Sequence, residues 1–486
     1  MNIYKRLATL LTATALLCCC TAGDKCADCY VRHLTFPDGA TAELKTAMAA
    51  RVVPDQRQYD WQQQELTAFL HFGVNTFTDR EWGTGSEDPA VFNPTDFDAA
   101  QWISLLKECG FEMVILTAKH HDGFCLWPTA TTAHSVAASP WREGKGDVVA
   151  EVSRACADAG MKFGFYLSPW DLNAPSYGDS PRYNELYVAQ LTELLSNYGP
   201  IAEVWFDGAC GEGPDGRRQV YDWQAFHEAI RRLQPDAVAA VQGEDVRWVG
   251  NERGQGRETE WSVTPLVPPA LADADTRNGQ LGLTTTSKDL GSRDLVARAQ
   301  ELYWYPSEVD VSIRPGWFWH DYEDAQVKTL AELADIYFTS VGRNSVLLLN
   351  IPPDRRGRIN EADAARLREF AQWRSRTFER NLLAGAEKQR VLECGESTEY
   401  RLAAPAEIDV IRLSENIKCG QRVESFTVEA LTDSGWSLVA EGTTIGNKRL
   451  LRIEPVTASA LRVTVTGSRG KALLHNAGAF RSAPVV

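Results

Sequence analysis

The stretch Ile201-Ala202-Glu203-Val204-Trp205-Phe206-Asp207-Gly208 decides the fold, because an apolar run short enough for one buried strand stops at a lone carboxylate, Asp207. Two earlier segments repeat the design. Met113–Leu116 runs into Lys119-His120-His121-Asp122, and Phe163–Leu167 runs into Ser168-Pro169-Trp170. Three buried strands therefore present polar groups at their carboxyl ends, and in a barrel of repeated βα units that face carries the active site. A strand-end cap or a core ion pair would account for one such residue, but not for all three together.

Outward from this stretch, strands and amphipathic helices alternate. A helix at Trp61–Thr67 feeds the strand Ala68–Gly73. Helices at Asp96–Cys109, Val148–Ala159, Glu185–Tyr198 and Trp223–Leu233 lie between strands at Met113–Leu116, Phe163–Ser168, Ile201–Phe206 and Ala237–Val241. Gly110, Gly160 and Gly199 each follow a helix as stop signals. The series continues through strand Glu308–Arg314, helix Ala325–Ile336, strand Ser345–Asn350 and helix Glu361–Asn381. This spacing predicts parallel βαβ units closed into a (β/α)8-like, TIM-type barrel. The irregular stretch Trp261–Ser292 reads as an active-site loop. Beyond Glu387 short alternating runs replace helices, at Glu407–Leu413, Ser425–Leu431, Ser437–Glu441, Leu450–Ile453 and Ala460–Val465, which predicts an antiparallel β-sandwich. The chain accordingly divides into a signal peptide of lipoprotein type (1–22), a linker-like segment (23–58), a catalytic barrel (59–386) and a C-terminal sandwich (387–486).

With 486 residues there is room for a barrel of about 250 residues or more and an accessory domain. Hydrophobic residues at 44% against 24% charged ones describe an ordinary globular chain with a large core. A net charge of −15 argues against nucleic acid or anionic membrane as partners and suits a neutral substrate. Met1-Asn2-Ile3-Tyr4-Lys5-Arg6 followed by Leu7–Leu17 has the basic start and short apolar core of a secretory signal. Cys18-Cys19-Cys20 resembles a lipoprotein cleavage site, with simple cleavage near Ala22 as the alternative. The expectation is an exported protein, periplasmic or at the cell surface, touching membrane only through an N-terminal lipid. Cys26 and Cys29 fit a local disulfide. Cys109, Cys125, Cys156, Cys210, Cys394 and Cys419 read mostly as buried free thiols.

A strand-end carboxylate can act as nucleophile or base, but hydrolysis of a glycoside needs two carboxyls, one attacking and one protonating the leaving oxygen. Candidates for the partner of Asp207 are Glu244, Asp245, Glu252, Glu258 and Glu260, which spacing cannot separate. His120-His121 point to opposite faces if the strand stays extended, so hydrogen bonding to hydroxyls is a better reading than a metal site. No HExxH, phosphate-binding glycine motif or Gly-x-Ser-x-Gly elbow is present, and neither metal nor cofactor is expected.

Six segments resemble the α-L-fucosidases of glycoside hydrolase family 29, in that family's order: His71-Phe72-Gly73-Val74-Asn75-Thr76-Phe77, Glu81-Trp82-Gly83, Lys119-His120-His121-Asp122-Gly123-Phe124, Phe165-Tyr166-Leu167-Ser168, Val204-Trp205-Phe206-Asp207-Gly208 and Arg314-Pro315-Gly316-Trp317-Phe318. The resemblance implies a retaining mechanism with Asp207 as nucleophile. Asn75-Thr76-Phe77 and Gly250-Asn251-Glu252 are similar to the branch that cleaves fucose α-1,3- or α-1,4-linked in branched glycans, which implies Glu252 as acid/base, with Glu258 and Glu260 as alternatives. It further implies sugar binding by His71, Glu81, Trp82, His120, His121, Tyr166 and Trp317. The rivals are a retaining glycosidase for another sugar, such as galactose, and a lipid-anchored glycan-binding protein without turnover.

Overall fold

This computed structural model describes residues 30–485, so the expected signal sequence with Cys18, Cys19 and Cys20, and the Cys26–Cys29 pair, lie outside the described residues. The chain enters through strand β1 (His33–Thr35), which pairs antiparallel with β9 (Glu301–Trp304); β9 in turn pairs with β8 (Val263–Thr264). Helix Ala42–Ala49 follows, then helix Gln56–Gln62, opened by a capping box in which Asp55 and Gln58 exchange side-chain and backbone bonds. The linker-like reading therefore fails over residues 30–58. A three-residue strand and two helices of one to two turns are too short to show a period, and what fixes them is remote: Arg32 reaches the buried Asp245 at 2.6 Å.

Eight parallel strands build the barrel: β2 (Leu66–Leu70), β3 (Met113–Lys119), β4 (Lys162–Leu167), β5 (Glu203–Phe206), β6 (Val238–Val241), β7 (Arg247–Trp248), β10 (Ser307–Ser312) and β11 (Val346–Asn350). Their order is β6-β5-β4-β3-β2-β11-β10-β7, and an Ala240–Val246 bridge brings β6 back to β7, so the barrel is nearly closed. Side chains alternate as the pleat requires. Phe69, Met113, Ile115, Val346 and Leu348 fill the interior, while Leu66, Ala68, Leu70, Val114, Leu116, Leu347 and Leu349 face the surrounding helices. Val241 turns from β6 with φ 65°, a left-handed conformation costly for a β-branched residue, where the chain doubles back to reach β7.

Trp61 plugs the amino end of the barrel and donates its indole N–H to Glu203 at 2.7 Å, while Trp205 donates to Glu308 at 2.8 Å. The remaining oxygen of each, Glu203 Oε1 and Glu308 Oε1, has no partner among the described residues, and two adjacent buried acids cannot both be charged, which favours one proton held between them. Burial pushes Glu203 up to about 8 and raises Glu308 as well. Unfolded glutamates titrate near about 4.3. The stability contributed by this pair is therefore complete below that pH and is lost as pH rises to about 8. Glu203→Gln keeps the Trp61 bond and offers Glu308 an N–H in place of the shared proton. Its melting temperature should exceed the wild type's by a few degrees at pH 8, with the gap narrowing toward pH 5. Parallel melting curves across that range would show that no proton is shared.

After helix Glu361–Phe378 comes an antiparallel sheet of β12 (Arg390–Leu392), β13 (Ser397–Glu415), β14 (Val423–Thr432), β15 (Gly435–Gly442), β16 (Arg449–Ser468) and β17 (Ala472–Phe480), in the order β12-β17-β13-β16-β14-β15. The long β13 and β16 shift register between Arg401 and Ala406 and again between Ile408 and Val410, and their two halves take different neighbours, β17 on one side and β14 on the other. Both halves feed one core that includes Ile408, Leu413, Phe426, Leu461, Val463 and Leu474, which is how the expected sandwich is made. Cys109, Cys125 and Cys156 are buried thiols, whereas Cys394 is exposed. Among the described residues no helix is long and apolar enough to cross a membrane.

Candidate active site

Strand ends place the chemistry. Asp207 follows β5, His71 follows β2, His120 and His121 follow β3, Tyr166 lies near the end of β4, and Trp317 sits in the loop after β10. With Glu81, Trp82 and Glu252 these residues line one cavity of about 110 Å³, and every residue expected at the site is among them. A space well below the usual several hundred cubic ångströms admits one sugar ring rather than a stretch of glycan. Phe69, Trp205, Ala209 and Asp310 complete the lining and were not foreseen.

Asp207 is oriented through both oxygens: Oδ2 accepts the Tyr166 hydroxyl at 3.0 Å and Oδ1 accepts the Ala209 N–H at 2.7 Å. Tyr166 is itself stacked on Trp205 and on His120, with ring centroids 5.4 and 5.5 Å apart. The histidines act through defined nitrogens. Asn350 Nδ2 donates to Ser312 Oγ and to the Trp317 carbonyl, so its Oδ1 must accept, and it takes the His71 Nδ1–H at 2.8 Å. Ser168 Oγ donates to the Trp170 carbonyl and accepts the His121 Nδ1–H at 2.7 Å. Both rings are left with Nε2 as an acceptor, that of His121 lying 3.8 Å from Asp207. The expected divergence of His120 and His121 does not hold: β3 ends at Lys119, the chain turns there, and the two rings lie 4.2 Å apart on the same cavity. Among the described residues no group of three or more His, Cys, Asp and Glu is arranged to hold a metal ion.

The five rival carboxyls separate by their partners. Asp245 is buried among Arg32, Arg57 and Arg231, and Glu244 pairs with Arg32 at 3.2 Å. Glu260 is buried between Arg247 and Arg257, and Glu258 is held by Arg343 and Arg449. Of the five, Glu252 alone lines the cavity. Gly250 makes its approach feasible, since with φ 100° a Cβ there would stand 2.7 Å from the Thr285 carbonyl oxygen. Glu81 also lines the cavity, but its oxygens hold the Trp317 and Phe318 N–H groups at 2.7 and 3.3 Å and His320 Nε2 at 2.7 Å, so it fixes the Trp317 loop.

The family model of the alpha-L-fucosidases matches residues 46–379. The chain belongs to that family. It is 41% identical over 463 residues to alpha-L-fucosidase 1 of Arabidopsis thaliana, covering 88% of this chain and 87% of the relative. Its fold superposes on a putative alpha-L-fucosidase from Bacteroides ovatus with a TM-score of 0.92 at 60% identity, over 94% of this chain and 79% of that one. It superposes on a Ruminococcus gnavus GH29 fucosidase in complex with fucose with a TM-score of 0.78 at 33% identity, over 92% and 97%.

In this α-L-fucosidase the electrostatics of the cavity favour neutral groups around Asp207. Burial holds His71 down at about 3 and His120 well below its ordinary value. Burial also lowers His121, partly offset by the Asp207 charge. Three uncharged imidazoles therefore line the cavity. Glu252 is exposed as a residue, yet packing over the cavity, and then the Asp207 charge, raise its carboxyl against a bond from Trp317. Trp82, 56% exposed, stands edge-on to His121 and Trp170 at the rim.

Proposed function

We propose that this α-L-fucosidase is an exported, retaining enzyme that removes terminal fucose α-1,3- or α-1,4-linked in oligosaccharides or glycoconjugates. The observation that carries the mechanism is that, of the five candidate partners for Asp207, Glu252 alone shares its single-ring cavity. Asp207 attacks the anomeric carbon as the bond to the leaving oxygen breaks, and Glu252 gives its proton to that oxygen. In the second step Glu252 takes a proton from water, which displaces Asp207 from the ester. The raised Glu252 carboxyl suits a group that must be an acid first and a base afterwards. His71 and His121 accept sugar hydroxyls through Nε2, with His120 beside them, while Tyr166, Trp317 and Trp82 offer aromatic surface to the ring and its methyl group.

Digestion of defined fucosylated oligosaccharides, read by mass spectrometry, tests the linkage. Release of fucose from α-1,3- and α-1,4-linked positions and not from α-1,2-linked ones is expected, and the reverse pattern would overturn the branch assignment. Binding without release would favour a glycan-binding role, and preferred cleavage of galactosides the other rival. Export rests on the N-terminal sequence alone. Replacing Cys18, Cys19 and Cys20 together by Ser should move the protein from the membrane to the soluble fraction, and continued membrane retention would refute the lipid anchor.

A further inference from the structure

Of the four carboxyls lining the cavity, Asp207 and Glu252 react and Glu81 fixes the Trp317 loop, which leaves Asp310. It stands on β10, two residues beyond Glu308 on the same inward face, and only 3% of its surface is exposed. It lines the cavity together with Asp207 and Glu252. Its Oδ1 accepts the indole N–H of Trp248 at 2.8 Å. Trp248 ends β7, four residues before Glu252, and β7 pairs with β10 over two residues.

We propose that Asp310 is a third functional carboxyl of this site, which touches the sugar: one oxygen holds the Trp248 indole and the other is left for a sugar hydroxyl, so that substrate binding is tied to the strand carrying Glu252. The proposal rests on the fucosidase reading above. The chemistry of the lining supports it. His71 Nε2, His121 Nε2 and Asp207 are acceptors, the proton of Glu252 is committed to the leaving oxygen, and neutral His120 offers a single N–H, so donors for the lone pairs of several sugar hydroxyls are scarce. A carboxylic acid supplies a further donor. Burial pushes Asp310 up to about 8, the charges of Glu252 and Asp207 adding to the effect and the Trp248 bond opposing it. Glu308, below it on the same strand, is the other acid it faces and is itself raised. At neutral pH Asp310 therefore keeps its proton beside a nucleophile that must be without one, and it exchanges none with the substrate.

The test uses an activated chloronitrophenyl α-L-fucoside, whose first step needs no general acid, so that Glu252 drops out of the alkaline limb of kcat/KM. In the wild type kcat/KM should fall about tenfold per pH unit above about pH 8 as Asp310 loses its proton. Asp310→Asn can still accept from Trp248 and donate to the hydroxyl but cannot ionise, so the activity it has at pH 7 should persist to alkaline pH without that limb. Asp310→Ala should raise KM about tenfold or more. A limb unchanged in Asp310→Asn, or an unchanged KM in an Asp310→Ala protein of wild-type melting temperature, would overturn the proposal alone. If Asp310→Ala fails to fold, the Asn profile still decides. A folded wild type that releases nothing from any fucoside would overturn the underlying reading and this proposal with it.

Discussion

Asp207→Ala is expected to lose turnover on every fucoside, by roughly 10³-fold or more, because no other group in the cavity can form the covalent intermediate. The loss should reside in kcat, since Tyr166 and the three histidines that surround the sugar remain. Removing the side chain vacates space beside the anomeric carbon, and a small anion can enter it. Azide should therefore restore cleavage of an activated aryl fucoside and yield fucosyl azide of inverted configuration, one displacement having replaced two. Asp207→Asn fills the same space with an amide and should be as inactive but rescued less. A variant with wild-type turnover, or rescue with retained configuration, would remove Asp207 from the role.

Glu252→Ala separates the two halves of the reaction. A general acid matters most when the leaving oxygen is basic, so cleavage of a GlcNAc-linked fucose should fall by ~10²-fold or more, while the first step on an activated aryl fucoside should survive far better. Hydrolysis of the glycosyl–enzyme ester, now without its base, becomes limiting. Azide should accelerate that step and give a product of retained configuration, opposite to the Asp207 rescue. Equal losses on both substrates without an azide effect would shift the role elsewhere, and Glu258→Ala and Glu260→Ala are the controls. Both are expected to act on stability instead, because their arginine partners would be left buried without a counter-charge.

What the sequence discloses and what it hides follow from how far each feature reaches. The barrel is legible because β3, β4 and β5 are apolar runs of four to seven residues ending in polar groups, a pattern contained in one window. β7 is not, because two residues carry no period. The five acids differ by partners that sequence cannot show: Arg343 and Arg449 lie 85 or more positions from Glu258 and so have no mark in its neighbourhood. The convergence of His120 and His121 is hidden for the same reason: nothing in the window marks the end of β3 at Lys119, and only an extended strand would point them apart. Asp310 did leave a signal: Glu308, Asp310 and Ser312 alternate with Val309 and Val311, placing three polar groups on one face of a strand that reads as buried. Apolar residues would be expected on that face unless a site opened there.

The grip of the C-terminal sheet on the barrel has a bearing on how small a working enzyme of this kind can be. Gln421 and Thr444 hold the backbone of Glu260 and Ser262, and Arg449 holds Glu258, the stretch that leads away from Glu252. Glu260 in turn secures Arg247 of β7, the shortest seam of the barrel. A chain trimmed after the helix Glu361–Phe378 would keep Asp207 and all three histidines, yet Glu252, the proposed proton donor, would hang from a segment without these supports. On the proposed mechanism such a truncated form should recognise fucose better than it cleaves it, which would make the appended domain a support of the proton donor even if it never meets a glycan.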